Sequence, residues 1–410
     1  MKQLPNHVLA QVVKDAGESK PERAKRLVQF FEHGIADKKI SLENVSLMGI
    51  ASALGCIDPY DIQGSVRKLG RGATDRDSKD FVAESLYSES AALMSNAFQT
   101  VTQSLIQDQL ISGYNSFTGV SDRLVTTQRA SMRNTKVAGF THVGTSFEVP
   151  EGHPYPTVRF GEKYVTTKET KYGAMIELTE ELIMFDQTGD IARHARMIGE
   201  GLAAEKEYLI LRGIVDEDSG AGTYVYRPSG VGEALYAAGN LNLKTSNALV
   251  DWTDIDAVLS YRAVTVVDDR IDGTTRPVLG LNNASNKLLV PEALRSTGWY
   301  IKNATGTEQN TNNSAGTANR QTNAGNPVAG FIGEVLSSPI LDGLTNGTSN
   351  WFYGDFAKQF VWTELMPLQT FTQGADSNAA FETDTVLRFK ARHFGGLSAL
   401  DSIYVTKCSA

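Results

Sequence analysis

Histidine, cysteine and clustered carboxylates are the side chains that can hold a metal or drive nucleophilic chemistry, and in this chain none falls at a working spacing. The six histidines, His7, His33, His142, His153, His194 and His393, are scattered, with no His-Glu-x-x-His pair to set two ring nitrogens on one helical face. Cys56 and Cys408 stand near opposite ends of the chain and make neither a zinc knuckle nor a disulfide framework. Asp216-Glu217-Asp218-Ser219-Gly220 starts like a calcium loop, but Arg227 stands where the closing glutamate belongs. Glu180-Glu181 are adjacent and so do not share a helical face. Asp268-Asp269 with Asp272 reads as a solvated helix end. Gly220-Ala221-Gly222 and Gly230-Val231-Gly232 read as turns, and neither a Gly-x-x-x-x-Gly-Lys phosphate loop nor a Gly-x-Ser-x-Gly nucleophile elbow is present. The expectation is a protein that is not an enzyme, with no cofactor and no metal site. Catalytic groups can lie far apart in sequence, so a hydrolase with a dispersed site stands as the alternative from another class.

The totals bound the remaining possibilities. With 410 residues, the chain can build two or three folding units with sizeable cores. Lys and Arg total 39 against 47 Asp and Glu, a formal charge of −8. Phosphate contacts need a basic footprint, so this acidity argues against a general nucleic-acid binder. With only two cysteines the fold must stand on packing, which suits synthesis in a reducing cytoplasm. The N-terminus lacks the apolar stretch of a secretory signal, and the longest apolar-leaning run, Val45 to Ile57, falls short of the roughly 20 residues a bilayer span needs. A soluble protein without membrane contact is expected.

The elements that would carry any function follow from periodicity. Ser19-Lys20-Pro21-Glu22 has the form of a capping box, and Ala24, Leu27, Val28, Phe31 and Ile35 follow on one helical face. A second helix begins near Ser41, a glycine-containing linker covers residues 66–77, and a third helical pattern runs through Val82, Leu86, Leu93, Ala97, Val101 and Leu105 and fades at Gly113. Tyr114 to Thr145 is polar, with little periodicity and with Arg123, Arg129, Arg133 and Lys136, so it predicts a linker or an arm lying on a neighbour. Phe147 to Leu178 reads as a long β-hairpin with a turn at Glu151-Gly152-His153-Pro154 and charges at Glu162, Lys163, Lys168, Glu169 and Lys171. An isolated two-stranded hairpin is marginal in water. If the surface covering it belongs to another copy, the hairpin is an assembly device; if it belongs to the same chain, the hairpin is ordinary sheet.

A helix capped by Asp186 or Thr188 comes next, with Ile191, Ala195, Ile198, Leu202 and Leu209 in one stripe and an end at Gly213. Trp252-Thr253-Asp254 opens another helix with Ile255, Val258 and Leu259 inside. Pro277 to Leu281 reads as a buried strand, and Lys287 to Leu294 as a strand running into a helix. Asn303 to Asn326 is low-complexity and reads as a solvated loop. Asp384 to His393 alternates Leu387, Phe389 and Ala391 with Arg388, Lys390 and Arg392, the pattern of a half-buried strand, and Ile403-Tyr404-Val405 reads as the final strand. The fold class is α+β.

The order of these parts resembles the major capsid proteins of tailed bacteriophages, which share the Hong Kong 97 fold. The resemblance is carried by Lys171-Tyr172-Gly173-Ala174-Met175-Ile176-Glu177-Leu178-Thr179-Glu180-Glu181, by the helix after Asp186, by Lys287-Leu288-Leu289-Val290-Pro291-Glu292-Ala293-Leu294, by Trp351-Phe352-Tyr353-Gly354-Asp355 and by Phe389-Lys390-Ala391-Arg392-His393-Phe394-Gly395-Gly396. It implies a helical N-terminal region at 1–95 and an N-arm at 96–145, then an extended hairpin loop at 146–180. A peripheral domain would span 181–247 and 355–410 with a spine helix at 188–213, and an axial domain 248–354. It implies self-assembly through hexamers and pentamers into an icosahedral head around double-stranded DNA, which mild acidity would enclose without gripping. Portal, scaffold, protease or cement proteins are implied as further partners, and the virion as the destination. Arg123, Arg129, Arg133, Glu162, Lys163, Lys168, Glu169 and Lys171 are then the expected inter-subunit contacts. An encapsulin-like nanocompartment shell, which shares the fold, is the nearest alternative, and a tail or decoration protein a further one.

Overall fold

The computed structural model describes residues 102, 104–138, 149–154, 164–167, 169–179, 181–182, 190–217, 234–238, 241–268, 275–277, 280–304, 307–312, 318–324, 326–345, 349–373 and 385–409. The helices expected before residue 102 lie outside these. Two compact units are present, one drawing on 1–118, 172–205 and 367–393, the other on 119–171, 206–366 and 394–410.

In the first unit, helix α1 (residues 104–116) joins the first part of a long helix against a sheet. Its core unites Leu110, Leu202 and Ala391 with Tyr114, Ala174, Ile198 and Leu368. Two glycines let the helix backbones touch. A Cβ on Gly113 would stand 2.1 Å from the Arg196 carbonyl oxygen, and one on Gly199 would stand 2.1 Å from that of Leu110. The expected fading of the helix at Gly113 does not occur: the helix runs on to residue 116, and the glycine is a packing point.

The second unit begins with helix α2 (Ser121–Leu124), strand β1 (Thr126–Arg129), β2 (Lys136–Ala138) and β3 (Tyr164–Thr166). In chain order come strand β4 (Thr170–Thr179), which lies almost wholly in the first unit, and helix α3 (Asp190–Ile214), whose residues up to Glu205 belong to the first unit; α3 buries Ile191, Ala195 and Leu202 on one face of its first part and Ile210, Leu211 and Ile214 in its last turns. Next come β5 (Leu243–Lys244), α4 (Trp252–Ala263), β6 (Val266–Asp268), β7 (Thr275–Pro277) and β8 (Lys287–Pro291). A capping box starts α4: Asp251 accepts the Thr253 N–H at 2.8 Å, and the Asp254 carboxylate accepts the Asp251 N–H at 2.9 Å. Ile255, Val258 and Leu259 are buried on it, as their spacing predicts.

The remaining elements are α5 (Arg295–Asn303), β9 (Thr307–Asn312), β10 (Ala318–Ala324), β11 (Glu334–Ser338), α6 (Pro339–Gly343), β12 (Trp351–Gly354), α7 (Phe356–Gln359), β13 (Phe360–Gln373), β14 (Thr385–Ala399) and β15 (Val405–Cys408). A five-stranded sheet runs β11-β8-β12-β15-β5. Strand β8 pairs parallel with β11 and antiparallel with β12, so it sits inside the sheet, and its apolar run is buried on both faces. Alternation along the strands separates two cores. Leu289 and Phe352 pack with Ile210, Leu211 and Ile214, while Leu288, Val290, Trp351 and Tyr353 pack with Ile255, Val258 and Ile301. A second sheet runs β1-β13-β14-β4. The class is α+β, as expected. Among the described residues no helix is long and apolar enough to cross a membrane.

Several local expectations are corrected. Asn303 to Asn326 contains not a loop but the antiparallel pair β9–β10, because a backbone ladder forms without apolar side chains when β-branched threonines recur. The strand expected at Pro277 to Leu281 ends at Pro277, and Gly280 follows in a turn with φ +79°. The last strand starts at Val405 rather than at Ile403.

Candidate assembly surface

The segment entering the charged region is fastened by its own chain. Val120, Leu124 and Val125 are buried in the same core as Ile210, Leu211 and Ile214. Glu207 lies in that apolar stripe of α3, with 3% of its surface exposed. A carboxylate so placed needs donors. It receives the Val120 N–H at 2.8 Å and the Ser121 N–H at 2.9 Å, which are orphan groups at the start of α2. Lys206 pairs with Asp122 at 3.2 Å and Arg123 with Glu334 at 2.5 Å, and the Lys287 ammonium donates to the Arg123 carbonyl. Strand β1 then runs parallel to β13, Thr126 opposite Val361 and Arg129 opposite Glu364, with all four side chains exposed at a sheet edge. The Tyr114 to Thr145 stretch is therefore not a free arm over its described part: Val120, Leu124 and Val125 dock it.

Beyond Arg133 the chain turns through Asn134, whose φ of +58° is left-handed. Glu169 holds this turn. It is fully buried and accepts the Asn134 N–H at 2.8 Å and the Thr167 hydroxyl. Strand β2 pairs antiparallel with β3, Lys136 with Thr166 and Ala138 with Tyr164, so the partners are symmetric in sequence about Glu151. A turn stands there: the His153 N–H donates to the Pro150 carbonyl at 3.1 Å, and Gly152 has φ +81°. Strand β4 lies beside β14 instead. The single hairpin expected over Phe147 to Leu178 is thus corrected. Its returning half, Thr170–Thr179, belongs to its own chain's sheet, and the partner of Tyr164–Thr166 comes from residues assigned to the arm.

Of the expected contact residues, Arg123 is exposed though ion-paired, Arg129 projects from an edge strand, Arg133 is exposed in a turn, and Lys171 is exposed on β4. Glu169 is buried instead of displayed. Glu162, Lys163 and Lys168 lie outside the described residues. Sequence reading missed Glu207; the available signal was a carboxylate four residues after Ala203 and three before Ile210, inside an apolar stripe. The calcium-like segment has a structural use, since Asp216 accepts the Leu235 N–H at 2.6 Å and Glu217 accepts the Thr345 N–H at 2.8 Å. Among the described residues no group of three His, Cys, Asp or Glu side chains converges on a metal position.

The sequence matches the phage capsid protein family over residues 163–407. That match, more than half of the chain, defines the class as a capsid shell subunit. The chain belongs to the phage capsid protein family. No curated protein matches it. Among solved structures it is similar to the capsid of a native GTA particle, with 14% identity, a TM-score of 0.44, and coverage of 72% of this chain and 91% of that one. It is also similar to the virus-like particle from Pyrococcus furiosus, at 11% identity and TM-score 0.41 over 75% and 98% of the two chains. The capsid of cyanophage P-SCSP1u is similar at 13% identity and TM-score 0.41 over 70% and 86%.

Proposed function

We propose that this chain is the major capsid protein of a tailed phage, made in the host cytoplasm and assembled through hexamers and pentamers into an icosahedral head of the Hong Kong 97 type around double-stranded DNA. The observation carrying this reading is the family match over residues 163–407. Its role is structural and not catalytic. The formal charge of −8 suits a wall that encloses DNA without binding it tightly. Portal, scaffold, protease and cement proteins are the partners such a head would use. The exposed edge strand β1 and the turn at Glu151-Gly152 supply contacts of modest individual strength, and many made together hold a shell. Expression of the full chain followed by gel filtration and negative-stain electron microscopy tests this. The expected result is closed particles in the void volume; small rings or trimers would point to a tail or decoration protein instead.

A further inference from the structure

We propose that the outward face of β14 in the first unit is a docking site for an extended peptide carrying acidic side chains at alternate positions, supplied by a partner protein. Arg388, Lys390 and Arg392 alternate with residues turned into the core, of which Phe389, Ala391 and His393 are 5%, 1% and 3% exposed. The three cations therefore share one face of a rigid strand. Arg388 pairs with Glu177 on the neighbouring β4 at 3.1 Å. Lys390 and Arg392 have no carboxylate partner among the described residues. They are held by an aromatic ring: the Lys390 ammonium lies 5.3 Å and the Arg392 guanidinium carbon 4.5 Å from the centre of Phe371, which is 41% exposed. The contact Arg392 makes to the Gln369 side-chain oxygen is long, 3.4 Å, and its buried Nε has no acceptor.

At Gly173 strand β4 puts no side chain beside Arg392. A Cβ there would stand 2.6 Å from the Ala391 carbonyl oxygen and 3.1 Å from the Arg392 Cβ. Two residues further on, Met175 is 54% exposed and gives the site an apolar margin. Two pre-ordered cations that meet no carboxylate among the described residues, on a chain whose formal charge is −8, select an anionic occupant. Cations two residues apart on a strand are about 7 Å apart, the spacing of alternate side chains in an extended peptide. A nucleic acid fits less well, because the exposed ring of Phe371 is engaged by the cations and is not offered for base stacking.

The test is fluorescence anisotropy on the purified full chain with a labelled decapeptide of alternating Glu and Thr. A Lys-Thr decapeptide and an oligo-dT of equal charge serve as comparisons. The expected result is binding of the Glu-Thr peptide alone, weakening as salt rises. Lys390→Glu with Arg392→Glu should weaken it at least about tenfold, and Phe371→Leu, which keeps both cations, by about threefold. Circular dichroism melting verifies folding; if the charge reversals unfold the chain, Lys390→Gln with Arg392→Gln replaces them with the same expectation. Wild type and folded variants binding within about twofold of each other, or tighter binding of oligo-dT, would overturn the proposal. So would loss of particles in the folded variants, because the face would then be a contact between copies.

Discussion

Arg262 is 1% exposed, and its guanidinium donates to the carbonyls of Leu281, Tyr353 and Tyr404, to the Asn282 side-chain oxygen and to the Thr406 hydroxyl. It also lies over the Tyr353 ring at 5.4 Å. Burial lowers its pKa to about 10, yet it stays charged at neutral pH. One side chain thus ties α4 to β12 and to the chain on both sides of the sheet's last crossing. Arg262→Met should cost about 2–4 kcal/mol, since it leaves several buried acceptors without donors, and urea denaturation reads the loss.

Cys408 gives a pH-dependent prediction. Burial pushes its thiol up to about 12 from the ordinary 9.0. Between those values the folded chain keeps a proton that the unfolded chain releases. Stability is therefore full below pH 9 and falls as pH rises, by on the order of 1 kcal/mol from pH 9 to 10. Buried tyrosines such as Tyr236 and Tyr353, raised by burial, add to the fall near pH 10, and Arg262 opposes it there, so the difference between wild type and a Cys408 variant is what isolates the thiol. Thermal melts across this range should shift down in the wild type and stay flatter in Cys408→Ala. Neither role was legible in the sequence: a lone arginine on a helix and a cysteine near the chain end carry no local mark of the acceptors or burial that long-range packing supplies.

At the scale of elements, Glu207 and the paired glycines set how segments meet. Glu207→Gln would turn an amide N–H toward the Ser121 N–H, costing about 1–3 kcal/mol. Hydrogen exchange should then quicken over residues 119–130 well before the rest of the second unit opens. Gly199→Ala would drive a Cβ against the Leu110 carbonyl and lower the melting temperature, whereas Gly201→Ala, with nothing within 4 Å, should raise it slightly. Elements specified by their own periodicity were legible: the α4 stripe, the apolar run of β8 and the alternation of Phe389 and Ala391 all stand where the pattern puts them. Strand partners were not. Glu169 meets Asn134 across 35 residues, and Tyr164–Thr166 meets Lys136–Ala138, pairings chosen by tertiary structure and unmarked in either segment. The exposed placement of Arg129, Arg133 and Lys171 followed from polarity alone; the burial of Glu169 did not, because charge does not disclose whether donors await it.

For the molecule as a whole, the proposed shell would be built from a subunit whose entry segment is already part-embedded in its own chain. The base of the region around β2 and β3 is anchored by Glu169, and α2 by Glu207, before any second copy arrives. A shell built from such subunits needs little ordering at each contact, which favours association. Sedimentation velocity of the purified full chain measures this most directly. The prediction is a dominant species far heavier than the 44.5 kDa chain, persisting on dilution as closed multivalent assemblies do. A single 44.5 kDa species at every concentration tried would contradict a shell-forming subunit.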